Sequence, residues 1–143
     1  MSDLETAQHC ADAMMANDRS SQAMGISIEI PAVGQAIARM QVRDDMVNGF
    51  DVIHGGLTFA LADTAFAFAC NAYDKLTYAA AANIEFLRPA TLGDELTATA
   101  TEDYRGRRSG YYSVEVHNQR GELIALFRGR SASTGDPVVS PRK

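Results

Sequence analysis

Residues Val52 to Tyr73 read VIHGGLTFALADTAFAFACNAY. From Gly55 to Cys70 nearly every residue is apolar or small, and the only charge is Asp63. The run is too long for a strand and suits a buried α-helix of about four to five turns, opening at the glycine pair after His54. The first N–H groups of such a helix have no acceptor within it and carry partial positive charge. Glycine lets an acceptor approach them closely, and a carbonyl oxygen that gains negative charge there would be stabilised. Asp63 is the second unusual residue. A buried carboxylate is costly unless it is paired, hydrogen-bonded or at the edge of a wet cleft. Asp63 is therefore either bonded to a neighbouring backbone group or a candidate base or nucleophile.

Spacing adds a step. Gly55 and Asp63 are eight positions apart, about 12 Å along one helix, so a single substrate carbonyl cannot meet both. Two copies packed antiparallel about a twofold axis would bring Asp63 of one chain toward Gly55 of the other. A site built in this way requires a dimer.

Outward from the helix, 143 residues with 46% hydrophobic content and no repeat predict one domain spanning 1–143, with a loose tail over 134–143. The amino terminus reads as a helix rather than a basic, apolar signal segment, so a cytoplasmic protein is expected. Asp63 and the many small residues argue against a membrane span. Cys10 and Cys70 lack CxxC spacing and neighbouring histidines, which suggests neither a zinc site nor a disulfide framework. A net charge of −5 disfavours a general nucleic-acid binder. Arg105 to Arg130 nevertheless holds six arginines against Glu115 and Glu122, a local charge of +4. That segment is either a solvated sheet face or a holder of a phosphorylated ligand.

Ser2 and Glu5 fit a capping box for an opening helix that ends around Asn17 to Ser20. Met24 to Val33 alternates as a half-buried strand. In the next strand Ala36, Ala38, Met40 and Val42 share the inward parity. Asn48-Gly49 marks a turn in the loop Asp44–His54, where Asn48 is either a turn residue or part of the site, and His54 is a polar residue at the helix start. Extended segments follow at Thr77–Leu87, Glu95–Tyr104, Ser109–Asn118 and Leu123–Ser133, with hairpin turns at Gly106-Arg107 and Gln119–Gly121. The sum is an α+β fold, one antiparallel sheet curled around a long central helix.

An asparagine, then HGG, then a helix with aspartate eight residues after the first glycine, then NIEFLRPA and a long meander, resembles the hotdog-fold acyl-CoA thioesterases. Within them Asn48, His54-Gly55-Gly56, LADTAFAFACN and LFRGRS are similar to the PaaI group, named for phenylacetate degradation. The resemblance runs from about Met24 to Ser133. It implies hydrolysis of an acyl-CoA thioester without a metal or a separate cofactor, coenzyme A being part of the substrate. Asp63 matches the carboxylate that activates water or attacks the acyl carbon. Gly55 matches the N–H that polarises the carbonyl, Asn48 a residue that holds thioester or water, and His54 a positioning residue. Arg88, Arg105, Arg108 and Arg128 are the candidates for gripping CoA. The resemblance further implies a homodimer with shared sites, and a homotetramer of two such dimers. Ala79 to Ala82 stand where some relatives carry a hydroxyl residue. Tyr73, Phe66 and Tyr78 suggest an aromatic acyl group, although aromatic residues on an apolar helix also serve as core. Two other readings belong beside this one: an enoyl-thioester hydratase or dehydratase, for which the histidines are misplaced, and a non-catalytic acyl-CoA-binding module.

Overall fold

The computed structural model describes residues 1–139. The capping box forms as read: Ser2 Oγ accepts the Glu5 N–H and Glu5 Oε1 accepts the Ser2 N–H, each at 3.1 Å, and opens α1 (Asp3–Asn17). A second helix, α2 (Arg19–Ala23), follows, with Asp18 Oδ1 accepting the Ser21 N–H at 3.0 Å. Five residues are too few for a helical period to show in sequence. Six strands complete the set with one long helix: β1 (Ser27–Glu29), β2 (Gln35–Gln41), α3 (Gly55–Cys70), β3 (Thr77–Phe86), β4 (Glu95–Arg105), β5 (Ser109–His117) and β6 (Leu123–Ser133). β1 is shorter than the expected Met24–Val33, because Gly25 turns the chain at φ 70° just before it and Pro31, lacking an N–H, follows it.

The strands form one antiparallel sheet in the order β1-β2-β4-β5-β6-β3. α3 lies on its inner face, against strands β2 to β6. That face is built largely from small residues: Ala36 and Ala38 of β2 and Ala98 and Ala100 of β4 are fully buried. Small side chains let the helix seat close to the sheet, where Leu61, Ala62, Ala65, Phe66, Phe68 and Ala69 are buried. Phe66 belongs to this core and not to an acyl pocket, which corrects one of the aromatic expectations. Its ring centre lies 5.4 Å from that of Tyr112 and 5.8 Å from that of Phe127. Tyr73 is likewise engaged, donating to Glu102 Oε1 at 2.7 Å beneath the Arg105 guanidinium, 3.6 Å from the ring centre. Tyr78 alone of the three stays open to solvent.

α3 runs antiparallel beside β3. Its first residue, Gly55, faces the Phe86 ring at the end of the strand, and Asn71 at its other end exchanges hydrogen bonds with Thr77 at the strand's start, 2.9 and 3.0 Å. β3 is also a sheet edge, exposed from Tyr78 to Asn83, with a register irregularity between Ala79 and Ala81. The tail is not loose from Thr134 onward. Thr134 N–H and Oγ1 both donate to Leu76 O at 2.8 Å, and the Val138 and Val139 N–H groups donate to Asp74 Oδ1 at 2.9 and 2.8 Å. The remainder of that expectation, residues 140–143, falls outside the described residues.

Gly129 shows how tightly the helix is seated, since a Cβ there would lie 2.8 Å from the Phe66 ring. Phe66 is 1% exposed and cannot swing away. Gly129→Ala is expected to lower stability by about 1–3 kcal/mol through overpacking, read as a lower urea midpoint at unchanged slope.

Candidate active site

The site is anchored by the short segment that precedes α3. His54 is the N-cap residue, with its N–H donating to Met46 O at 3.0 Å and its C=O accepting from Leu57 N–H at 2.9 Å. Its imidazole is exposed and makes no capping bond, so the histidine sets the helix entry through its backbone. The N–H groups of Gly55 and Gly56 then stand at the positive end of the helix, with no acidic residue in the first turn to offset it.

Asn48 holds the loop in place. Its Oδ1 accepts the Phe50 N–H at 2.9 Å and the Val52 N–H at 3.2 Å, while its own N–H donates to Val52 O at 2.8 Å. The strained residue of this turn is Asp51, at φ 58°, and not Asn48. Both readings of Asn48 therefore stay physically compatible: the oxygen is spent on the turn, and among the described residues the amide NH2 has no hydrogen-bond acceptor. Val52 and Ile53 in turn pair with the segment 90–91, which fixes the loop to the far side of the site.

Between these pieces lies a cavity of about 300 Å³, lined by Val52, Gly55, Thr58, Phe86, Arg88 and Ile124, among others. Phe86 and Thr58 were not singled out from sequence. Thr58 carries a legible signal, being one turn after Gly55 on the same helix face; Phe86 becomes visible only once β3 is placed beside α3. A Cβ on Gly55 would come within 3.0 Å of the Phe86 ring, so glycine is what leaves room there.

Asp63 lies two turns further along α3. It is half-buried, and among the described residues its carboxylate has neither a hydrogen bond nor an ion pair. Burial raises its pKa above the ordinary carboxylate value. Among the described residues no backbone group donates to the Asp63 carboxylate, so a bond to a neighbouring backbone group does not account for it. Gly56, Ala60, Asp63 and Ala67 recur at spacings of four, three and four on the stripe of α3 that the sheet leaves incompletely covered. Gly55 and Asp63 sit on one helix and do not converge within a chain.

The four candidate arginines are dispersed. Arg88 lines the Gly55 cavity and is held by Glu122 at 2.6 Å. Arg105 covers Tyr73. Arg108 stands at the β4–β5 hairpin. Arg128, on β6, faces Asp103 at 3.6 Å. Cys10 and Cys70 are buried free thiols, and burial pushes Cys70 up to about 12. Among the described residues no helix is long and apolar enough to cross a membrane.

A family model for the thioesterase superfamily matches residues 50–125. The acyl-coenzyme A thioesterase PaaI of Escherichia coli (strain K12) is 44% identical over 129 residues, covering 90% of this chain and 92% of that protein. The solved structure of the E. coli PaaI protein from the phenylacetic acid degradation operon superposes with a TM-score of 0.93 at 43% identity, over 95% of this chain and 99% of that one. A mutant of the phenylacetic acid degradation protein PaaI from Thermus thermophilus superposes at 0.76 with 34% identity, over 80% and 98%.

Burial of Asp63 ties the binding of its proton to stability. The folded protomer holds the proton more tightly than the unfolded chain, so stability declines as pH rises from the unfolded value of about 3.9 through the raised folded one. Asp63→Asn lacks this decline. Urea denaturation at a series of pH values is expected to show the variant matching wild type in acid and exceeding it toward neutrality.

Proposed function

The chain belongs to the thioesterase superfamily, and on that footing we propose that it hydrolyses acyl-CoA thioesters to a carboxylic acid and free CoA. The observation that carries the mechanism is Asp63: a half-buried carboxylate with a raised pKa and no partner of its own among the described residues, on a helix stripe that the sheet covers only in part. Its partner in this reading is the substrate of a twofold-related site. The thioester carbonyl points at the Gly55 N–H of one protomer, at the positive helix end, while Asp63 of the other protomer activates water or attacks the acyl carbon. Asn48 offers its free amide to the thioester or the water, and His54 positions the helix start. No metal or cofactor takes part in this scheme.

Two surfaces support the dimer. The stripe Gly56, Ala60, Asp63 and Ala67 is small enough for a second helix to pack closely. The edge of β3, with four consecutive alanines, presents unpaired backbone groups to a second copy of itself. Two such dimers make the tetramer, for which the exposed Tyr111 and Leu126 on the outer sheet face are available. The acyl group is aromatic in this proposal, phenylacetyl or a hydroxylated relative, within phenylacetate degradation in the cytoplasm. The names of the relatives and the apolar cavity wall of Val52, Phe86 and Leu87 favour it.

Free-thiol release from a panel of aromatic and aliphatic acyl-CoAs tests the activity. Wild type is expected to turn over aromatic substrates best, with a rate that rises with pH through the Asp63 titration, and Asp63→Asn to lose about 10²–10⁴-fold. A wild type silent on the whole panel removes the proposal. The shared site has its own check. Asp63→Asn and Asn48→Ala, each impaired alone, are mixed after mild dissociation. Random pairing leaves one intact site in each mixed dimer, so about a quarter of wild-type activity returns. No recovery would place both residues in one protomer's site.

A further inference from the structure

Of the side chains that line the Gly55 cavity, only those of Thr58 and Arg88 are polar. The Arg88 guanidinium is held by Glu122 at 2.6 Å. Thr58 is 1% exposed, and among the described residues its hydroxyl makes no hydrogen bond. No fully enclosed side-chain nitrogen or oxygen among the described residues lacks a partner. The unbonded hydroxyl is therefore not sealed in the core: its opening is the cavity.

Packing alone would place another residue here. The fourth position of a helix ordinarily carries an apolar side chain that packs on the residue before the N-cap, which in α3 is Ile53. Thr58 occupies that position, and it and Ile53 line the same cavity. A threonine within a helix commonly returns its hydroxyl to the carbonyl four residues back, as Thr64 does to Ala60 O at 2.7 Å. For Thr58 that carbonyl belongs to His54 and is taken by the Leu57 N–H at 2.9 Å. A buried hydroxyl without a partner is costly, and an acceptor entering the cavity removes that cost.

We propose that Thr58 is a catalytic residue, its hydroxyl donating the second hydrogen bond to the thioester carbonyl oxygen that the Gly55 N–H meets; the assignment rests on the thioesterase reading above. Helical side chains lean toward the N-terminus, so Thr58 covers the turn that Gly55 opens. Positions three apart are neighbours, roughly 5–6 Å from each other, and one oxygen between them can lie about 3 Å from both donors. A carbonyl oxygen has a lone pair for each. When the nucleophile's oxygen bonds to the acyl carbon, the carbonyl π pair moves onto this oxygen, and it returns as the C–S bond breaks and the sulfur leaves as thiolate. Thr58 keeps its proton throughout and bonds most strongly while the oxygen is negative. Ile53, Ala90 and Ile124, all buried cavity walls, keep the interaction in surroundings of low dielectric.

Two variants test this, with circular dichroism and oligomer size as checks on folding. Thr58→Val keeps the β-branched shape and loses the donor, whereas Thr58→Ser keeps the donor and loses the methyl group. Thr58→Val is expected to lower kcat about 10–100-fold, with little change in KM and the pH profile unmoved because Asp63 is untouched. Thr58→Ser is expected to stay near wild type. Two unreactive CoA analogues of the same acyl group give a readout that needs no turnover: a ketone, with CH2 in place of the thioester sulfur, and a thioether that lacks the carbonyl oxygen. In calorimetry Thr58→Val is expected to bind the ketone about 2–10-fold more weakly and the thioether as wild type does. Wild-type kcat in Thr58→Val overturns the assignment, as does an equal loss in both variants or an equal weakening of both analogues. A wild type that releases no thiol, yet favours the ketone through Thr58, overturns the thioesterase reading and leaves the carbonyl contact standing.

Discussion

A helix that is apolar on every side has to be covered on every side, and α3 imposes this demand on the whole protomer. Its own sheet meets part of it. The alanines of β2 and β4 bring the inner face close enough to bury Leu61, Ala65 and Phe66, and Gly129 gives way to the Phe66 ring where any Cβ would collide. One sheet can curl around only one side. What is left over is the incompletely covered stripe from Gly56 to Ala67 and the edge of β3 beside it.

The same helix separates two kinds of electrostatics. At Gly55 the backbone presents unshared N–H groups beside a glycine-sized opening against Phe86. Two turns on, Asp63 holds a carboxylate whose burial disfavours its charge. A positive helix end and a reluctant anion on one rigid rod cannot approach each other. The rod keeps them about 12 Å apart, so within one chain the helix end cannot offset the Asp63 charge.

How much of this was legible follows from how local each signal is. The bounds of α3, the inward parity of Ala36 to Val42 and both hairpins are properties of short windows, and the structure has them where the sequence put them. α2 escaped because its cap and its body together span only six residues. Phe66 and Tyr73 looked alike as pocket candidates because an aromatic residue does not announce its neighbours; Tyr112, Phe127 and Glu102, which claim them, are more than 25 residues away. The arginines were hardest. A count of six in one segment gives a charge, but only the distant or turn partners Asp94, Glu122 and Asp103 show that Arg120 and Arg128 are the ones among the six that face a carboxylate.

The position of β3 in the sheet has a consequence for how the chain closes on itself. β5 and β6 are joined by a turn in which Asn118 bonds Glu122, four residues on, whereas Thr77 of β3 meets Ser133 of β6 across 56 residues. Loop-closure entropy makes the second contact about 2 kcal/mol dearer than the first. β3 is also held by a strand on one side only, so no second ladder steadies it against opening. In the proposed dimer, the strand offered to a second copy is therefore one whose pairing carries a long-loop cost. A partner that pairs with it returns as stability what the long loop takes away as entropy.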